Sequence, residues 1–360
     1  MKNKKPLVEI IILNLNGKED TVKCLNSLKK ISYKNYKITV VDQNSSDGSP
    51  EIIKRKFPHV KLIRNKVNTG FTGGNNQVLR KSKAKYCVLL NNDTTQEPSW
   101  LSELVKIAES DEKIAALQPK VLSLRNKKLF EHAGAGGSYI DVYGYPIYRG
   151  YVVDIAEEDK GQYNDFREVF WCCGVAMFLR MSALKKIGYL DDDFFLYSEE
   201  MDLSWRMNLV GYKQVYVPTS VIHHLGEATS GKKQFKFKKV YFLHRNVWIT
   251  SLKNYSVKNW WKIVPARLFL ESSAFLRFLF SEPSRSLAIA KANLWVLFNI
   301  SLILKKNKEI SKLRKVSDEE IQKRMVNKSV LIGYLFGKRK FVDYEGHILD
   351  YSKMSYSITS

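Results

Sequence analysis

The chain has 360 residues, 44% of them hydrophobic, which supplies a substantial core and excludes disorder over most of its length. Its formal net charge of +23 is uneven: residues 232–342 hold 25 Lys and Arg against 6 Asp and Glu, so that segment carries +19 and the remainder +4. Four cysteines, Cys24, Cys87, Cys172 and Cys173, show no zinc spacing and no dense disulfide framework, which fits reduced thiols in a cytosolic compartment. The apolar run at residues 7–13 contains Glu9 and lacks a small-residue cleavage site, so it does not read as a secretion signal.

Residues 7–120 alternate strand-like and helix-like segments. Strands are predicted over 8–13, 37–41, 60–64 and 86–90. Helices are predicted over 20–31, 49–57, 75–83 and 100–110, with Pro50 in the first turn of the second. This alternation predicts an open parallel sheet with helices on both faces, whose ligands bind beyond the carboxyl ends of the strands. Those ends carry Asn14 and Asn16, then residues 42–47, then 68–76, then Asn91-Asn92-Asp93. Turns alone favour such residues, but four consecutive polar strand ends outline one rim. Neither a dinucleotide fingerprint nor a phosphate-binding P-loop is present.

Residues 134–150, rich in Gly and Tyr, predict loops or short strands. A helix is expected to start near Glu199, with Leu203, Met207 and Val210 inward and Gly211 as its cap. A strand over 213–217 is followed by Pro218 and Val221-Ile222-His223-His224.

Beyond Lys232 aromatic residues interleave with lysines, and two strongly apolar runs, 268–280 and 287–304, are split by Ser281-Glu282-Pro283. The second run is near the short end of spanning length, and an interfacial or core helical pair is preferred to a true span. The basic, aromatic composition could serve nucleic acid, a plain solvated face or an anionic lipid surface. The apolar pair favours lipid, and no nucleic-acid partner is expected. The domain reading is therefore 1–231 as a catalytic unit, 232–342 as a membrane-associating helical extension and 343–360 as a tail.

The ordered set Ile10–Asn16, Val40–Gly48, Asn68–Asn76, Leu89–Thr94, Gly188–Arg206 and Val217–His224 resembles the inverting nucleotide-sugar glycosyltransferases of family 2, especially their rhamnosyltransferase-like branch. The resemblance runs over residues 7 to 231. It implies an α/β fold of GT-A type, with a Rossmann-like nucleotide-sugar-binding domain. It places Asn14 and Asn16 near the nucleoside and Asp42 at the base or ribose. Gly74, Asn75 and Asn76 fall beside the donor, as do Asn92 and Gly174, although Val78 replaces a glycine common in relatives.

Asn91-Asn92-Asp93 occupies the place of the family's metal motif with its first acid missing. A plain Asx turn is the alternative reading of these residues. The resemblance implies Mg²⁺ or Mn²⁺, with Asp93 and His223 as ligands and His224 as the fallback. Glu200 falls at the position of the catalytic base, with Glu199 and Asp202 able to exchange roles. Acids there could instead complement a helix dipole. Arg206 is expected to orient Glu199 or Asp202.

The expected function is transfer of a sugar from a nucleotide-sugar donor, dTDP-rhamnose or a UDP-hexose, to a glycan or lipid-linked saccharide acceptor. The expected place is cytoplasmic, peripheral at the inner face of the cell membrane. The alternatives are a catalytically inactive relative acting as a scaffold, a nucleic-acid-binding protein and a nucleotidyltransferase.

Overall fold

A computed structural model of the chain describes residues 5–226 and 236–352. The sequence boundary at 231, Lys232, Lys233 and Phe235 lie outside the described residues. Strands and helices alternate at first as predicted: β1 (Val8–Asn14), α1 (Lys18–Leu28), β2 (Tyr36–Asp42), α2 (Ser49–Lys56), β3 (Lys61–Arg64), α3 (Gly70–Leu79) and β4 (Tyr86–Asn91). β5 (Thr94–Gln96), α4 (Trp100–Ser110) and β6 (Ile114–Ser123) follow. Four short strands, β7 (Ser138–Ile140), β8 (Pro146–Tyr148), β9 (Tyr151–Val152) and β10 (Ile155–Ala156), make a separate antiparallel sheet. β11 (Arg167–Glu168), β12 (Ala176–Arg180), α5 (Met181–Ile187), α6 (Glu199–Val210) and β13 (Lys213–His224) complete the α/β part.

The main sheet runs β11-β13-β6-β12-β4-β1-β2-β3, with β5 paired to β13. β1 to β4 run parallel; the apolar runs of β1, β2 and β4 are buried, while β3 forms the more exposed edge. β12 enters antiparallel to both β4 and β6, so the sheet is mixed beyond the first four strands. β6 escapes a sequence reading because Pro119 interrupts its apolar run.

α3 starts at Gly70 rather than at residue 75. Its Gly-rich first turn has poor intrinsic helix propensity, and tertiary bonds supply what propensity does not. Gln43 donates to the Gly70 carbonyl at 2.9 Å, and the Phe71 N–H donates to the Phe195 carbonyl at 2.7 Å. β13 does not stop at Pro218. It shifts register between Val217 and Val221 and continues to His224.

The helical extension is α7 (Lys236–Asn254), α8 (Trp260–Phe278), α9 (Pro283–Phe298) and α10 (Ile300–Leu313). No single helix among the described residues is long and apolar enough to cross a membrane. α9 and α10 would suffice only together, and they are bent by 66° at Asn299. Residues beyond α10 return to the α/β part: Ile321, Met325, Val326, Phe341, Tyr344 and Ile348 join the same core as β1 and β4. Tyr351 stacks under the Arg167 guanidinium at 4.1 Å. The sequence boundary at 342 therefore falls inside a packed segment.

Candidate active site

The carboxyl ends of β1, β2 and β4 meet through Asn14. Its side-chain amide donates to Asp42 Oδ1 at 2.8 Å and to Ser49 Oγ at 2.7 Å, and its carbonyl accepts from Thr21 Oγ1 at 2.8 Å. Asn92 joins the same cluster by donating to Thr21 Oγ1 at 3.0 Å. Asp42 accepts from the Ser45 N–H at 3.0 Å through its other oxygen. Asn14 and Asp42 are both fully buried and satisfied by protein partners. Through these bonds they hold the rim together. Asn16 remains exposed at positive φ, its side-chain oxygen receiving the Ser46 N–H at 2.8 Å.

α3 bridges this rim to the acidic segment. A Cβ at Gly74 would clash with Gln43 and lie 2.9 Å from Leu13, so glycine lets the helix sit against β1. Asn75 donates to the Phe71 carbonyl at 2.9 Å. Asn76 donates to the Leu190 carbonyl at 2.8 Å and to Asp192 at 2.6 Å.

Gly174 is the contact between the two halves. Its N–H donates to Glu200 Oε1 at 3.4 Å, and a Cβ there would lie 2.9 Å from the Phe71 ring. The adjoining Val175 carbonyl accepts from the Asn91 N–H at 2.9 Å, which ties the Glu200 contact to the strand that ends in Asp93. Cys172 and Cys173 beside it are buried and free, as packing requires.

The three candidate acids differ sharply. Asp202 is fully buried and saturated by Arg206 Nε at 3.0 Å, Lys253 Nζ at 2.9 Å and Asn254 Nδ2 at 2.8 Å. Its carboxylate is thus engaged as a buried counterion. Arg206 orients it and also caps the carbonyls of Ile187, Gly188 and Tyr189.

Among the described residues, Glu199 and Glu200 have no ion-pair partner. Burial, then the neighbouring Glu200, pushes the Glu199 carboxyl well above its ordinary value. Burial raises Glu200 against the opposing Gly174 bond. Among the described residues, one side-chain oxygen of each of Glu199, Glu200, Asn75 and Asn76 is buried without a hydrogen-bond partner. Such an atom costs ~1–3 kcal/mol unless a ligand satisfies it. Only Glu200 of the two acids is partly open.

Beyond the end of β4, His224 rather than His223 lies beside Asp93. β13 pairs antiparallel with β5, setting His224 opposite Thr94 and His223 opposite Thr95. Alternate side chains leave a strand on opposite faces. His224 Nε2 therefore lies 3.1 Å from Asp93 Oδ1, whereas His223 turns to Glu97 at 3.7 Å.

Glu131, which no sequence motif marked, bonds His224 Nδ1 and His132 Nδ1. Burial alone would lower His224, but the bonds to Asp93 and Glu131 raise it to about 9. Burial is likewise overcome at Glu131, which the two imidazoles hold far below the carboxylate range. Burial and Lys127 lower His223.

Among the described residues no group of three or more His, Cys, Asp or Glu side chains makes a complete cation cage. Asp93 and His224 nevertheless suit a hard divalent ion in part: one carboxylate, and one imidazole whose far nitrogen is fixed by a second carboxylate.

Residues 9–188 match the family model for glycosyl transferase family 2. The chain belongs to glycosyl transferase family 2. This family-2 glycosyltransferase is 24% identical over 270 residues to the N-acetylglucosaminyl-diphospho-decaprenol L-rhamnosyltransferase of Mycobacterium tuberculosis, covering 70% of this chain and 85% of that protein. Among solved structures it resembles GalNAc-T7 with UDP, GalNAc and Mn²⁺, at TM-score 0.54 and 16% identity, over 69% of this chain and 48% of that one. It also resembles the mannosyltransferase PcManGT of Pyrobaculum calidifontis in complex with GDP-Man and Mn²⁺, at TM-score 0.50 and 14% identity, over 93% and 89%. The fold is thus of GT-A type, and the protein is a glycosyltransferase.

Proposed function

We propose that the enzyme is an inverting transferase that uses a divalent cation and moves a sugar from a nucleoside-diphosphate donor to a lipid-linked saccharide. The observation that carries the reading is the Gly174 junction, which joins the partner-poor Glu200 to the strand ending in the Asp93–His224 pair. Glu200 accepts the proton of the acceptor hydroxyl as its oxygen bonds to the anomeric carbon. The bond from that carbon to the diphosphate breaks, and its electron pair leaves with the nucleoside diphosphate.

Asp93 and His224 would hold Mg²⁺ or Mn²⁺, which would supply charge neutralisation to the leaving diphosphate. The GalNAc-T7 and PcManGT structures each contain Mn²⁺, which supports this choice of ion. Asn16, Asn75 and Asn76 line the donor side. The mycobacterial relative favours dTDP-rhamnose as donor and a lipid diphosphate saccharide as acceptor, with UDP-hexoses as the next donors to try.

The test is release of nucleoside diphosphate from a panel of dTDP- and UDP-sugars with Mn²⁺ or chelator, with calorimetric donor binding beside it. Metal-dependent turnover of one donor, lost in Asp93→Ala and Glu200→Gln, is expected. Absence of both turnover and donor binding across the panel would leave a scaffold protein.

A further inference from the structure

α8 and α9 form a helical hairpin whose outer face has no partner among the described residues. Trp261, Leu268 and Leu276 recur every seven or eight residues along α8, and Leu287, Leu294 and Phe298 recur along α9, so each set lies on one stripe. All are at least half exposed, and Phe280, at the turn between the helices, is 91% exposed. The opposite stripe of α9, Ala288, Ile289, Ala292 and Val296, is buried. The hairpin is therefore folded correctly on its inner side and apolar on its outer side. Soluble monomers rarely show a contiguous apolar face of this kind.

The charges on the hairpin point to the occupant. The hairpin, residues 260–298, contains five Lys or Arg and two Glu. Glu271 is buried against Arg267 and His244, and Glu282 is paired with Lys236 at 2.6 Å. Neither acid of the hairpin is left to oppose an anionic surface, while Lys262, Arg277 and Lys291 stand exposed on the same two helices. An apolar stripe rimmed by cations matches the interface of an anionic bilayer, where side chains enter the acyl boundary and cations meet headgroups.

The same hairpin is braced to the active site. Trp248 of α7 donates to Asn293 of α9 at 2.8 Å, and Arg245 of α7 lies 4.9 Å from the Trp295 ring. Arg245 in turn donates to the carbonyls of Asp193 and Phe194, just ahead of Glu199 and Glu200.

We infer that the outer face of the α8–α9 hairpin docks flat on an anionic lipid bilayer, fixing the catalytic loop at a set distance from the membrane. This deepens the lipid-linked acceptor reading and rests on it, but the docking test does not depend on sugar transfer. The full chain is floated with vesicles of phosphatidylcholine alone and of phosphatidylcholine mixed with an equal part of phosphatidylglycerol. The wild type is expected to float with the anionic vesicles. Leu276→Glu/Phe280→Glu/Phe298→Glu is expected to reduce the bound fraction at least about tenfold while leaving the thermal midpoint unchanged, since these side chains are exposed.

High salt should weaken wild-type binding without abolishing it, because the apolar part is not screened. Three outcomes overturn the proposal: no flotation, equal flotation of the variant, or a wild-type dimer that the substitutions convert to monomer. Salt-sensitive binding to single-stranded DNA without vesicle binding would also overturn it. Metal-dependent donor hydrolysis in the same preparations separates the two readings: intact hydrolysis with no flotation sinks docking alone.

Discussion

Asn246 on α7 holds Tyr197 in place: its side-chain amide donates to the Tyr197 carbonyl at 2.7 Å, and also to Leu196 at 2.8 Å and Phe194 at 3.2 Å. The loop it grips has three non-glycine residues at positive φ, Phe195, Tyr197 and Ser198, directly before Glu199. Each such residue costs ~1–3 kcal/mol and persists only where surrounding bonds hold it. Asn246→Ala should release the loop. Turnover is expected to fall about 10- to 100-fold with donor affinity changed less than about threefold, because Gln43 holds the start of α3 independently of this loop. Steady-state kinetics with calorimetric donor binding checks this, and equal losses in both would make Asn246 a general packing residue.

The choice between His223 and His224 at the end of β13 is open to direct measurement. Mn²⁺ affinity in the presence of nucleoside diphosphate should fall in His224→Ala, and Glu131→Gln should weaken it about 10- to 100-fold by freeing the imidazole. His223→Ala should leave it within about threefold. Paramagnetic resonance of free Mn²⁺ reads all three, and a larger loss in His223→Ala would restore the neighbouring residue as the ligand.

Asp202 should matter for folding first. Asp202→Ala leaves Lys253 only Asp191, at 2.6 Å, and leaves the buried Arg206 without a carboxylate, and breaking a buried pair in this way costs ~3–5 kcal/mol. Urea unfolding should show that loss. A stable, folded Asp202→Ala protein without turnover would instead place this acid in the chemistry.

Glu200 should set the acid limb of the pH profile. Burial raises its carboxyl above the ordinary 4.5, and the base works only when ionised, so turnover should fall with decreasing pH at a higher value than an exposed glutamate would give. The stability effect has the opposite sense. A folded-state value above the unfolded one means the native state binds more protons between them, so stability falls as pH rises through that window. Glu200→Gln should therefore abolish most turnover, about 10²- to 10⁴-fold, while raising the thermal midpoint at neutral pH relative to wild type. A lowered midpoint would mean that the ionised carboxylate has a partner in the folded protein.

The sequence alone determined the elements whose signals are local. Apolar runs ending in polar residues set β1, β2 and β4, and a helix start at Glu199 with Gly211 beyond its end set α6, because burial period and cap chemistry are written within a few residues. It also brought Asn14, Asp42 and Asn92 to one rim, since parallel strands put their carboxyl ends together.

Tertiary structure decided the rest. Which of two adjacent histidines meets Asp93 depends on the register shift between Val217 and Val221, and a one-residue change of phase reverses the face of every side chain after it. Whether Asp202 is a free base or a buried counterion depends on Lys253 and Asn254, which lie about fifty residues away on α7. Glu131 reaches His224 from a loop with no periodic signal of its own. These are contacts between segments distant in sequence, and no local pattern carries them.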